Sequence, residues 1–219
     1  MSKPWAWKSA LLILGVVSLL RADEGGAPTE MKKGWDALAE GNRRYVASKA
    51  THPHQTDARR TEVATGQNPI AVIVSCSDSR VPPEVVFDQG LGDLFVIRVA
   101  GNTLDDLCLG SIEYAVEHLH VPLVVVLGHE RCGAVSAAVA GGDAPGHIHA
   151  VVEALRPAVE KVKDQPGDKV DNVVRENVRE VVESLRTSEP FLAKAVREGK
   201  VTLVGARYDL DTGVVETVK

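Results

Sequence analysis

Cys76, His129 and Cys132 are the residues best placed to do chemistry in this sequence. Cys76 opens Cys76-Ser77-Asp78-Ser79-Arg80, and His129-Glu130-Arg131-Cys132 sets an imidazole and a thiol three positions apart. Two thiolates and an imidazole suit a divalent zinc ion, and three protein ligands leave the fourth tetrahedral position for water or substrate. An open position points to catalysis.

Two apolar runs must deliver these ligands. Pro69 to Ser75 reads P-I-A-V-I-V-S and ends at Cys76; Val121 to Leu127 reads V-P-L-V-V-V-L and ends two residues before His129. Both have the β-branched, uninterrupted character of buried parallel strands. Open α/β sheets build sites just past the carboxyl ends of such strands, so Cys76 and His129 are expected in one crevice although 53 positions separate them. Cys132 falls at the start of an expected helix, Cys132 to Ala140, where the helix dipole favours its thiolate.

Three ordered motifs carry a resemblance. Cys-Ser-Asp-Ser-Arg-Val from Cys76, Phe-Val-Ile-Arg-Val-Ala-Gly-Asn at 95–102 and Gly128-His129-Glu130-Arg131-Cys132-Gly133 are similar to those of a β-class carbonic anhydrase. The similarity runs from about Trp35, through Gly41-Asn42-Arg43-Arg44-Tyr45, to Tyr208-Asp209-Leu210-Asp211-Thr212-Gly213. The resemblance implies reversible hydration of carbon dioxide to bicarbonate and a proton. It also implies one zinc ion per subunit, with Cys76, His129 and Cys132 as ligands. Two thiolates cancel the charge of zinc, so the metal acidifies its water less than with three neutral imidazoles, and help from neighbouring residues becomes necessary.

Asp78 and Arg80 are the expected helpers. A carboxylate accepting the proton of hydroxide on the metal orients the oxygen lone pair at the substrate carbon, and an Arg fork keeps that carboxylate ionised and in place. In some family members the Asp moves onto the metal instead, so Asp78 is either the orienting group or a fourth ligand. Gln67 matches the family's active-site glutamine, and Phe95 and Tyr114 match two aromatic positions that wall the substrate pocket. Ordinary core packing is the competing reading for both aromatics. Gly133 is expected to let a backbone N–H approach the reacting oxygen.

His118, His120, His147 and His149 read as capping or solvated side chains at helix ends, and Cys108 as a small buried side chain in the first turns of a helix. With two of the three cysteines assigned to metal, no pair remains for a disulfide.

Residues 1–22 read as a signal peptide, with cleavage after Ala22 or, as the alternative, after Ala27. Lys3 and Lys8 precede an apolar stretch from Ser9 to Leu20, too short to cross a bilayer comfortably. Residues 23–30, with Gly25-Gly26-Ala27-Pro28, read as a linker, and 31–219 as the catalytic domain. A periplasmic or secreted location follows, with an uncleaved, membrane-tethered form as the alternative. The chain is 44% hydrophobic and 25% charged with a formal charge of −5, which suits one soluble domain and gives no reason to expect a nucleic-acid partner.

The fold class expected is α/β, a mainly parallel central sheet flanked by helices with an N-terminal helical arm. Strands are expected near 70–75, 94–98, 122–127 and 201–206. Helices are expected over 31–48, 103–119, 132–140, 147–162 and 169–186; in the last, Val174, Val178, Val181, Val182 and Leu185 form a stripe read as packing. The family resemblance implies a homo-oligomer, dimer or tetramer. Two rival functions remain: hydrolysis of carbon disulfide or a related small molecule on the same scaffold, and an exported protein whose zinc is structural or carried to a partner.

Overall fold

The computed structural model describes residues 26–219. The proposed signal peptide at 1–22 lies outside the described residues.

Five strands form one sheet in the order β2-β1-β3-β4-β5, with β1 Ala71–Ser75, β2 Leu94–Arg98, β3 Leu123–His129, β4 Thr202–Tyr208 and β5 Val215–Thr217. The first four are parallel and β5 runs antiparallel to β4. Every residue of β1 and β3 is buried, as strands covered on both faces require. The chain leaves β1 for β2 on one side and later returns to β3 on the other, so the order reverses at β1. The crevice at the carboxyl ends of β1 and β3 is therefore the switch point where α/β sheets place their sites.

Helices cover both faces. They are α1 Gly26–Val46, α2 Asp57–Val63, α3 Pro83–Val86, α4 Asp106–His118, α5 Gly133–Ala140, α6 Ile148–Val162, α7 Lys169–Thr187 and α8 Leu192–Arg197. One core layer joins Val72, Val74, Val124 and Val126 to Ile112 of α4, Val178 and Leu185 of α7 and Leu192 of α8. The opposite layer joins Ile73, Val125, Leu127 and Tyr208 to Leu38 of α1 and Val86 of α3.

The structure departs from the expected boundaries in informative ways. Helix α1 is described from Gly26, so the described part of the expected 23–30 linker is helical. Strand β3 runs on through His129 because β4 keeps pairing with it, Gly128 to Arg207 and His129 to Tyr208. Short helices α2, α3 and α8 and strand β5 have too few residues for a periodic pattern to reveal them.

The Gly41-Asn42-Arg43-Arg44-Tyr45 segment ties α1 down. Asn42 is buried and spends its carboxamide on three backbone groups: Nδ2 donates to Val86 O and Gly213 O, and Oδ1 accepts from Val215 N. Arg44 donates to Asp88 at 2.6 Å, and Asp88 also accepts the backbone N–H groups of Thr51 and His52.

Candidate metal centre

Cys76 follows β1 directly, His129 ends β3 and Cys132 caps the start of α5. Strands β1 and β3 are neighbours, so residues far apart in sequence meet at one sheet edge. Gly128 lets α7 press against this end of β3: a Cβ there would lie 2.7 Å from Val178 Cγ2 and 3.0 Å from Val174 Cγ1.

All three side chains are buried, and their donor atoms lie within 4.8 Å of one another. The Cys76 and Cys132 sulfurs are 3.9 Å apart. Two sulfurs held at about 2.3 Å on a tetrahedral centre sit about 3.8 Å apart, whereas a disulfide needs about 2.0 Å. His129 donates its Nδ1–H to Glu130 O at 2.9 Å, which leaves Nε2 as the lone-pair nitrogen. That Nε2 is fully buried and has no hydrogen-bond partner. An orphaned acceptor beside two thiols costs free energy unless something fills the space between them. The residues present therefore fit a divalent zinc ion.

The electrostatics agree. The Cys76 thiol is pulled well below its ordinary range, first by its hydrogen bond with Cys132 and further by the His129 ring and the Gly101 and Asp78 amides, against the effect of burial. Cys132 is pushed up, chiefly by Cys76 and then by burial, while the Val135 and Ala134 amides favour its thiolate. One proton shared between two sulfurs is what a dication would displace.

Asp78 stands beside this cluster and not in it. Its Oδ2 is 3.8 Å from His129 Nε2. Arg80 grips it with two hydrogen bonds, Nε to Oδ1 at 2.9 Å and Nη2 to Oδ2 at 2.7 Å, and the Arg80 backbone N–H adds a third. The Arg80 fork first, then its amide and the nearby His129, hold the Asp78 carboxyl at about 2 despite partial burial.

Arg98, unassigned by the sequence reading, completes this loop. It ends β2 next to Ser75, and it donates to Cys76 O at 2.9 Å and to Asp78 O at 2.5 Å. The signal was a charged residue closing the otherwise apolar run Phe95-Val96-Ile97-Arg98, inside a motif already singled out.

Of the expected pocket residues, Gly133 directly follows Cys132, whereas Gln67, Phe95 and Tyr114 are not brought to this cluster within one chain. Phe95 pairs with Val72, four residues before Cys76, which is about 13 Å back along the strand. Its ring packs against the core and lies 6.3 Å from that of Tyr114, which is 48% exposed. Gln67 is exposed ahead of β1, at the same amino-terminal end of the sheet. Gly133 is the first residue of α5, and a Cβ built on it meets no atom within 4 Å, so nothing in this chain demands glycine there. His118 lies against Tyr114, with ring centroids 5.2 Å apart, and His149 is 4.0 Å from Glu153. Neither of these two joins the cysteines, nor do His120 and His147. Cys108 is buried in the first turn of α4.

Comparison with known proteins matches residues 71–215 to the family described as carbonic anhydrase. Carbonic anhydrase 2 of Mycobacterium tuberculosis is 46% identical over 183 residues, covering 82% of this chain and 88% of the relative. The carbonic anhydrase of Mycolicibacterium smegmatis is 42% identical over 186 residues, covering 83% and 90%. Among solved structures, a tetrameric β-carbonic anhydrase from Sordaria macrospora superposes with a TM-score of 0.70 at 26% identity, covering 85% of this chain and 97% of that one. The β-carbonic anhydrase of Coccomyxa, in complex with acetazolamide, gives 0.67 at 27% identity, covering 90% and 87%. Sequence, fold and the cysteine–histidine cluster agree, and the chain belongs to the β-carbonic anhydrases, with the activity of a carbonate dehydratase, a lyase.

Proposed function

We propose that the chain hydrates carbon dioxide reversibly at one zinc ion per subunit held by Cys76, His129 and Cys132, with Asp78 and Arg80 as an orienting dyad. The observation that carries this reading is the buried, unpartnered Nε2 of His129 facing two sulfurs 3.9 Å apart, with an ionised carboxylate 3.8 Å away. Zinc bound there lowers the pKa of its water and so supplies a nucleophile near neutral pH.

The remaining work belongs to the chain. Asp78, kept ionised by Arg80, is acceptor-only; it takes the hydrogen bond of the attacking O–H and turns its lone pair toward the carbon of carbon dioxide. The grip of Arg80 favours this orienting role over the alternative in which Asp78 becomes a fourth ligand. Arg98 keeps the Cys76–Asp78 loop from shifting under either group. His129 Nδ1–H, tied to Glu130 O, keeps the ring from rotating.

Gln67, Phe95 and Tyr114 act as pocket walls in this reading only when a second copy presents them, since their own chain holds them at the far end of the strands. A homo-oligomer, dimer or tetramer, follows. The exposed Tyr114 and the tetrameric state described for the Sordaria macrospora enzyme support it.

Export to the periplasm, with cleavage near Ala22, completes the proposal. Lys3, Lys8 and the apolar Ser9–Leu20 stretch support it, and no helix among the described residues is long and apolar enough to cross a membrane. The mass of the exported protein distinguishes cleavage from an uncleaved tether. Metal analysis of the purified chain tests the ligand set: one zinc per chain is expected, and it is lost in Cys76→Ser and His129→Ala.

A further inference from the structure

Two polar residues of α7 are buried beside its valine stripe: Glu176, which is paired with Lys161 and Arg179, and the uncharged Asn177. Asn177 is 3% exposed and lies between Val174, Val178 and Val181, which are buried in the core. Its Nδ2 donates to Gly101 O at 2.9 Å, a partner 76 positions away. Gly101 is the centre of the short turn Ala100–Asn102 and has φ +70°, a left-handed conformation that glycine adopts at little cost. A Cβ there would approach Leu155 Cδ1 at 3.0 Å and Ala134 Cβ at 3.3 Å, so the position is also crowded. The Gly101 N–H donates to Cys76 Sγ at 3.3 Å.

The two hydrogen bonds lie on successive peptide units joined at the Gly101 Cα. A glycine between two peptide planes turns easily, so the direction of its N–H is not fixed by local backbone preference. It is fixed by what holds the next peptide unit at both ends: the Asn102 N–H donates to Val99 O at 2.9 Å, and the Gly101 carbonyl accepts from Asn177. Asn177 supplies the second of these holds from a helix whose neighbours are locked in the core.

We propose that Asn177 is a positioning residue of the metal centre: it holds the 100–102 turn so that the Gly101 amide stays on the Cys76 sulfur. This rests on the reading of Cys76 as a metal ligand. An N–H bonded to the sulfur holds it in place and draws charge from its lone pairs. Loss of the Asn177 carboxamide loosens the turn, leaves Gly101 O unsatisfied, and returns electron density to the sulfur.

The experiment uses cobalt(II) in place of zinc in the full chain, which makes the thiolate-to-metal charge-transfer absorption visible. Wild type, Asn177→Leu and Val181→Ala are compared, the last removing packing from the same stripe without touching the turn. Asn177→Leu is expected to move the band to longer wavelength and to weaken metal binding, in competition with a chelator, by about 10–100-fold. Val181→Ala is expected to lower the melting temperature and leave the band in place. If Asn177→Leu does not fold by circular dichroism, Asn177→Ala, smaller and without a donor, takes its place with the same expectation. A band and affinity equal to wild type in the folded variant would overturn the proposal. A wild-type protein with no thiolate-to-cobalt band would overturn the ligand assignment itself, and the proposal with it.

Discussion

Arg80 binds Asp78 through both carboxylate oxygens, and the same Nη2 that reaches Asp78 Oδ2 at 2.7 Å also donates to Arg131 O at 3.2 Å. One guanidinium thus joins the loop after Cys76 to the loop between His129 and Cys132. A lysine would keep the charge and lose the fork. Arg80→Lys is therefore expected to retain zinc and lose about 10–100-fold in turnover, and Asp78→Ala to retain zinc and lose at least as much. Metal analysis with initial rates checks both, and full activity in Asp78→Ala would show that no orienting carboxylate is needed.

Arg98 acts on the same loop from behind. Its hydrogen bonds to Cys76 O and Asp78 O come from a charged donor, and hydrogen bonds of that kind are worth about 1.5–3 kcal/mol. Arg98→Leu is expected to destabilise the fold by about 3 kcal/mol and to weaken zinc binding as well. Denaturant unfolding and chelator competition measure the two effects; unchanged zinc affinity would confine Arg98 to the fold.

Much of this centre was legible in the sequence because its parts are local. Cys76, His129 and Cys132 each sit against an apolar run or a helix start, and chain direction with strand burial sufficed to bring them together. Asn177 and Gly101 were not legible, since their link crosses 76 positions and joins a helix to a turn. The only trace was a carboxamide among valines. Gln67, Phe95 and Tyr114 were picked by matching a family pattern, which says nothing about which copy of the chain a residue serves. Strand register adds that Phe95 lies at the opposite end of the sheet from its own chain's cluster.

Stability in acid should depend on Asp88. Burial alone would raise its pKa, but the Thr51 amide, the Arg44 guanidinium, the His52 amide and the Thr51 hydroxyl outweigh it and hold the group at about 2, against an ordinary 3.8. A depressed folded pKa contributes stability that is fully present above the unfolded value and disappears as pH falls through the folded one. The contribution is about 2 kcal/mol, lost between about pH 4 and pH 2. Thermal unfolding across that range should show a steeper fall for wild type than for Asp88→Asn, which starts lower; parallel curves would contradict this.

If a second copy supplies Gln67, Phe95 and Tyr114 to each metal centre, specific activity must fall on dilution as the oligomer dissociates. Tyr114→Asp, a charge placed on a half-exposed side chain, should shift that fall to higher protein concentration. Sedimentation velocity and activity measured over one dilution series check the coincidence. A dissociated chain with full specific activity would show that each site is complete alone.

Stopped-flow carbon dioxide hydration by the full chain, with zinc measured on the same sample before and after chelation, tests the central claim most directly. One zinc per chain is predicted, with hydration that vanishes on chelation, returns with zinc, and is absent from Cys76→Ser. Stoichiometric zinc without hydration at high pH, or hydration that survives complete metal removal, would contradict it.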